Sequence, residues 1–174
     1  SEASFGMAAL NSYYATPSVA DEHGFALADA PWPHFFDPFR NAVAGKKVAV
    51  IGHFPFAPKA LNQAADFYML ERSLNEGDYP DSAAEYILPE CDYVFITGSA
   101  FVNKTAPRLL ELSRESFNVV LGPSTPLAPV LLEDYGVSQV TGMVPSNPAG
   151  MFEGLEKGDS LDMFNFGHRV TLGR

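Results

Sequence analysis

The chain has a single cysteine, Cys91, in 174 residues. One thiol cannot close an intrachain disulfide or build a multi-cysteine zinc cage. Basic residues are scarce: 11 Lys and Arg stand against 21 Asp and Glu, a net charge of −10. Nucleic acid requires a basic surface to meet its phosphates, so it is excluded as a partner. No apolar run approaches the roughly 18–20 residues of a bilayer crossing, so no membrane partner is expected. A secretory leader pattern is absent, and a cytoplasmic location is the expectation. Charged residues make up only 18%, below the usual ~25%, which argues for a packed domain rather than long disorder. Internal repeats and low-complexity tracts are also missing.

Three chemical signatures are missing as well. The loop after the first apolar run reads Gly52-His53-Phe54-Pro55-Phe56-Ala57-Pro58. A dinucleotide fingerprint needs G-x-G-x-x-G there. This loop has one Gly, and its two prolines lack N–H donors, so a pyrophosphate would find few partners. That argues against NAD and FAD. A phosphate-cradling P-loop and the G-x-S-x-G elbow of serine hydrolases do not occur either.

What is present is an alternation of apolar runs and helical segments. The runs 46–52, 66–71, 93–98, 118–122 and 137–142 read as strands, and four of them end in Gly. Most show no polar alternation, as strands buried on both faces of a parallel sheet do. A sixth run, His168–Leu172, has polar ends that suit an edge strand. Between them, Asp37-Pro38 reads as a helix start and Gly45 as its stop. Ser82 and Glu85 have capping-box spacing. Thr105 is placed to cap the helix holding Leu109, Leu110 and Leu112, and Thr125-Pro126 opens the one holding Val130–Leu132. The expectation is an α/β fold: a Rossmann-like open, mainly parallel sheet of about five or six strands with helices on both faces.

The chain opens without Met on a helical stretch whose Ala3, Met7, Leu10 and Tyr14 share a face. A proline- and aromatic-rich connector follows, including Pro31-Trp32-Pro33. Residues 1–36 are therefore expected to be a helix and connector left from a preceding small domain, and residues 37–174 the α/β domain. The first helix would pack on that domain or on a second copy of the chain.

In open α/β sheets, ligands bind beyond the carboxyl ends of the strands, where strand order reverses. The polar residues in those loops are the candidates. His53 follows the first strand and offers an imidazole. Glu71 ends the second strand, nineteen positions after Gly52, where an acidic residue contacts ribose in dinucleotide-binding domains; a salt bridge with Arg72 is the plainer reading. Asp78 lies in an acidic turn that could meet a hard cation. Asn103, Ser124 and Thr125 add amide and hydroxyl groups, the last two at an expected helix start that favours anions. The expected set is His53, Glu71 and Asp78 for a metal, and Glu71, Asn103, Ser124 and Thr125 for a ligand. Cys91 lies before the third strand, at the opposite edge, and reads as a buried hydrophobe.

Several long motifs carry a family resemblance: VAVIGHFP (Val48–Pro55), GDYPDSAAEYILPECDYVFITGSAFVNKTAPRLLELSR (Gly77–Arg114), VVLGPSTPLAPVLLEDYGV (Val119–Val137) and GMVPSNP (Gly142–Pro148). Over roughly Ala44–Arg174 the chain resembles the putative heavy-metal chelation family, a domain family of unknown function, and EASFGMAALNSYY also resembles its members. The resemblance implies a Rossmann-like domain preceded by a small enolase-amino-terminal-like domain, of which residues 1–36 are expected to be the remaining part. It also implies a cleft that binds a metal or metal chelate, with a link to corrinoid metabolism. The leading reading is binding of a divalent or heavy metal, or a small metal complex, at the carboxyl edge of the sheet. The alternatives are a small-metabolite enzyme with a nucleoside-type cofactor such as S-adenosylmethionine held by Glu71, and a non-catalytic assembly module that pairs with its amino-terminal domain. No complete catalytic set supports the enzyme.

Overall fold

The computed structural model describes residues 2–28, 34–158 and 162–173. The Pro31-Trp32-Pro33 part of the expected connector lies outside them. The elements in order are α1 (Glu2–Tyr14), α2 (Pro17–Glu22), β1 (Ala26–Leu27), a 3-10 turn (His34–Phe39), β2 (Lys47–Ile51), α3 (Ala57–Ala60), β3 (Asp66–Glu71), β4 (Tyr79–Pro80) and α4 (Ala84–Ile87). Then follow β5 (Tyr93–Thr97), α5 (Ser99–Val102), α6 (Ala106–Leu112), β6 (Phe117–Leu121), α7 (Val130–Glu133), β7 (Gln139–Pro145), α8 (Pro148–Glu156) and β8 (Gly167–Gly173).

The strands form one eight-stranded sheet in the order β1-β8-β7-β6-β5-β2-β3-β4. Pairing is parallel from β7 through β4 and antiparallel only where β8 meets β7 and β1. From β2 the chain steps one way to β3 and β4. It then returns to the other side of β2 as β5, β6 and β7. Strand order therefore reverses between β2 and β5.

Both faces of the sheet are covered. In β2, Ala49 and Ile51 join one apolar cluster with Leu70, Val94, Ile96 and Val120, closed by Ala84 of α4, Ala100 of α5, Leu109 and Leu110 of α6, and Leu131 and Leu132 of α7. Val48 and Val50 join the other, with Met69, Phe95, Val119 and Leu121, closed by Phe35, Phe36 and Phe39 and by Ala57, Ala60 and Leu61 around α3. The period-2 geometry of a strand sends neighbouring residues to opposite faces, which is why unbroken apolar runs suit this sheet. Phe36 is wholly buried and sits edge-on to Phe54 and Phe95.

Several local expectations are corrected. Asp37 is inside the 3-10 turn rather than at a helix cap, and its carboxylate meets His34 and Arg40. Residues 17–22 form α2, with Pro17 in its first turn, where a missing N–H costs nothing. The strand β8 lies second from the sheet edge, because β1 pairs with it. No side chain caps α4 or α6. In α1, Met7 is buried and Tyr14 half-buried, but Leu10 is exposed; Asn11 takes its place on the packed face, against α5 and the loop after β6. Among the described residues no helix is long and apolar enough to cross a membrane.

Candidate functional site

A cavity of about 530 Å³ opens beyond the carboxyl ends of β2, β3 and β5, at the reversal of strand order. That volume falls within the range of small-molecule sites. Its floor is apolar (Ile51, Leu70, Ala84, Ala100, Leu109 and Leu112). Its polar groups come from three strand ends: His53 after β2, Glu71 and Arg72 at the end of β3, and Thr97 at the end of β5 with Ser99, Asn103, Lys104 and Thr105 beyond it. Asp81, Ser82, Glu85 and Arg108 complete the rim.

The first two loops are bound together by Glu71. One of its carboxylate oxygens accepts the N–H of His53 at 2.9 Å, and the other accepts the N–H of Arg72 at 2.6 Å. Glu71 thus fixes where the loop after β2 leaves the sheet. The Arg72 guanidinium turns to Asp81 instead, at 3.6 Å. A ribose-binding role would need this carboxylate to face the ligand, and here it serves the backbone.

His53 is held by Asp78. Its Nδ1 lies 3.0 and 3.2 Å from the two carboxylate oxygens. The His53 side chain is 31% exposed, while that of Asp78 is fully covered. Desolvation pushes the Asp78 carboxyl up, but the Asn75 backbone N–H, the Asn75 carboxamide and His53 outweigh it and hold the group below the ordinary carboxylate range. Asp78 is therefore ionised at neutral pH. A carboxylate only accepts, so Nδ1 carries a proton and donates it to Asp78.

Across the cavity, Asn103 closes a tight turn. Its Oδ1 accepts from the Thr105 hydroxyl at 2.7 Å and the Thr105 N–H at 3.1 Å. Between them Lys104 has φ of 68°, the only positive φ among the described non-Gly residues. Such backbone is uncommon for a side-chain-bearing residue. Lys104 has no carboxylate partner among the described ion pairs, unlike Arg72 and Arg108. Arg108 donates from Nε to Glu85 at 2.8 Å and also from Nη2, while Nη1 donates to Glu111. That hydrogen bonding pulls the Glu85 carboxyl below its ordinary range and raises the Arg108 guanidinium. Glu85 thus reaches across to α6 rather than back to Ser82, which corrects the capping-box reading.

The structure brings together His53, Glu71, Asn103 and Asp78, the last as the buried partner of His53 rather than part of the wall. It separates Ser124 and Thr125 from them. The expected helix start at Thr125 is also corrected: α7 begins only at Val130, after Pro129. Thr125 is buried, and its N–H bonds the Gly122 carbonyl. The Ser124 carbonyl accepts from the Asn11 carboxamide at 3.1 Å, which ties this loop to α1. Gly98 makes that close packing possible, since a Cβ there would meet the Thr125 nitrogen at 2.6 Å. Sequence reasoning missed the rim cations Lys104 and Arg108, which no local motif marks.

The site is a poor cage for a bare metal ion. Among the described residues no group of three or more His, Cys, Asp and Glu is placed to hold one. Cys91, the soft donor a heavy metal prefers, is buried before β5 at the opposite edge, and burial pushes its thiol up to about 11. What the cavity does offer is one oriented imidazole, several neutral hydrogen-bonding groups and an apolar floor.

Comparison with known proteins agrees with this fold. A Desulfitobacterium hafniense protein of unknown function from the DUF364 family has a solved structure that is 45% identical, with a TM-score of 0.87 over 99% of this chain and 68% of its own. A Pyrococcus horikoshii protein of unknown function from the same family, PH1506, is 21% identical, with a TM-score of 0.77 over 97% of this chain and 67% of its own. The uncharacterized protein MJ0500 of Methanocaldococcus jannaschii is 29% identical over 101 residues, which are 55% of this chain and 39% of that protein. This chain thus corresponds to well under half of MJ0500 and about two thirds of the two solved structures. The family described as "Putative heavy-metal chelation" matches residues 34–172, most of the chain, and the protein belongs to that family, DUF364.

Proposed function

We propose that the protein binds a small metal complex, rather than a bare ion, in the cavity at the strand-order reversal. The observation that carries this reading is the pairing, among the described residues, of a 530 Å³ cavity and a single oriented histidine with no cluster of metal-binding side chains. A bare ion needs most of its ligands from the protein. A complex brings its own and needs only room, contacts for its organic part and at most one further donor. The family description supports the metal, and the cavity supports the organic part. The strand order, which leads outward on both sides of the β2–β5 boundary, supports the Rossmann-like reading of the domain and the placement of its ligand there. The engagement of Glu71 with backbone N–H groups leaves the nucleoside-cofactor alternative without its main support.

Calorimetric titration with nickel(II) nitrilotriacetate and with nickel(II) chloride tests the proposal. The chelate is expected to bind at one site and the free ion to bind far more weakly. Tighter binding of the free ion, or no binding of the chelate, would count against it.

A further inference from the structure

The His53–Asp78 pair specifies how such a complex would be held. A histidine that ligates a metal through one nitrogen commonly donates its other ring N–H to a carboxylate, which sets the tautomer and the ring orientation. Here that arrangement stands preformed. Asp78 is covered and bonded to Nδ1, and the part-exposed ring lines the cavity. The Asn75 N–H and carboxamide also donate to Asp78, so its carboxylate cannot turn away without losing them. A second pair, His34 and Asp37, has a similar contact at 3.1 Å but lies on the open surface, away from the cavity walls. Resting on the reading above, we infer that His53 is the one protein ligand of the site, with Asp78 as its positioning residue. The cargo class follows: an anionic chelate of a borderline metal with at least one exchangeable coordination position. One such position is taken by Nε2, displacing a water molecule, and the chelate's negative charge falls to Lys104, the rim cation without a carboxylate among the described ion pairs.

The test uses nickel(II) nitrilotriacetate with the full chain and four variants, together with ring nitrogen NMR of the metal-free proteins. His53→Gln keeps an amide donor for Asp78 but removes the imidazole, and is expected to abolish binding. His34→Ala is expected to leave it unchanged. In Asp78→Asn the Asn75 donors claim the amide oxygen, the amide NH2 faces Nδ1, and the proton moves to Nε2. The ring nitrogen shifts should report that tautomer change, with affinity falling about tenfold or more, the usual range for such outer partners. Lys104→Gln is expected to weaken the chelate about two- to fivefold, more at low salt than at high. Equal binding by wild type and His53→Gln would overturn the inference and leave the cavity reading standing. An unchanged tautomer and affinity in Asp78→Asn would remove the positioning role. No binding by wild type would overturn both this inference and the function on which it rests.

Discussion

The carboxylate of Asp78 lies 3.0 Å from Nδ1 of His53, across 25 residues of chain, and it joins the turn before β4 to the loop after β2. The pair sits beside a second tie, from Glu71 to the His53 backbone. Together they hold the position of the imidazole that lines the cavity and engage its Nδ1–H.

This relationship predicts an acid-dependent stability. The folded-state carboxyl of Asp78 titrates below its unfolded value, so its stabilising effect is full above the ordinary carboxylate range of about 4 and is lost as pH falls below it. Asp78→Asn should lower stability at pH 7 by about 1–2 kcal/mol, the scale of charge-assisted hydrogen bonds. Thermal unfolding from pH 7 to pH 2.5 should show the gap between wild type and variant closing in acid. A gap that widened in acid would assign the stabilisation to another group.

Gly98 predicts a packing failure. A Cβ there would run into the backbone of Ser124 and Thr125, which has no flexible side chain to move aside. Gly98→Ala should therefore destabilise by about 1–3 kcal/mol, as overpacking does. Gly6→Ala, in α1 with open space around it, should be neutral or slightly stabilising through helix propensity. Urea unfolding of the two variants separates the cases.

The aromatic face predicts a larger loss. Phe36 is fully buried against Phe54 and Phe95. Truncation to Ala should cost about 3–5 kcal/mol, the usual scale for a buried phenylalanine. If Phe36→Ala unfolds at nearly the wild-type denaturant midpoint, the turn at residues 34–39 is not part of the core.

The thiol of Cys91 should be inert in the native protein. Burial raises it to about 11, so little thiolate exists at pH 8. Iodoacetamide should label it slowly in buffer and rapidly in denaturant. Fast native labelling would show that the region before β5 opens readily.

The parallel strands were legible because burial on both faces leaves nothing but apolar side chains in runs such as Val48–Ile51 and Val94–Ile96. Helix starts were less so. Thr125-Pro126 has the form of an opening, yet Pro129 lacks the N–H that the next turn needs, so the helix begins only after it. The strand β7 starts later and runs longer than its apolar residues suggest, because it is extended by pairing with β8 up to Pro145. β1 and β4 are two-residue strands with no run to read. Of the residues read from position along the sheet edge, His53, Glu71 and Asn103 line the cavity, because His53 and Glu71 stand at strand ends and Asn103 follows the one-turn helix α5 beyond β5. The bonds of Asp78 to His53 and of Arg108 to Glu85 link segments 25 and 23 residues apart, and no local spacing encodes them.

The location of the bound complex is the most direct test. Copper(II) nitrilotriacetate is paramagnetic and broadens the signals of nearby nuclei. A backbone amide NMR titration should show broadening centred on Gly52–Phe54, Thr97–Thr105 and Arg108, the walls of the cavity. Broadening centred on the histidines outside the cavity, His23, His34 or His168, with the cavity amides unaffected, would contradict the account.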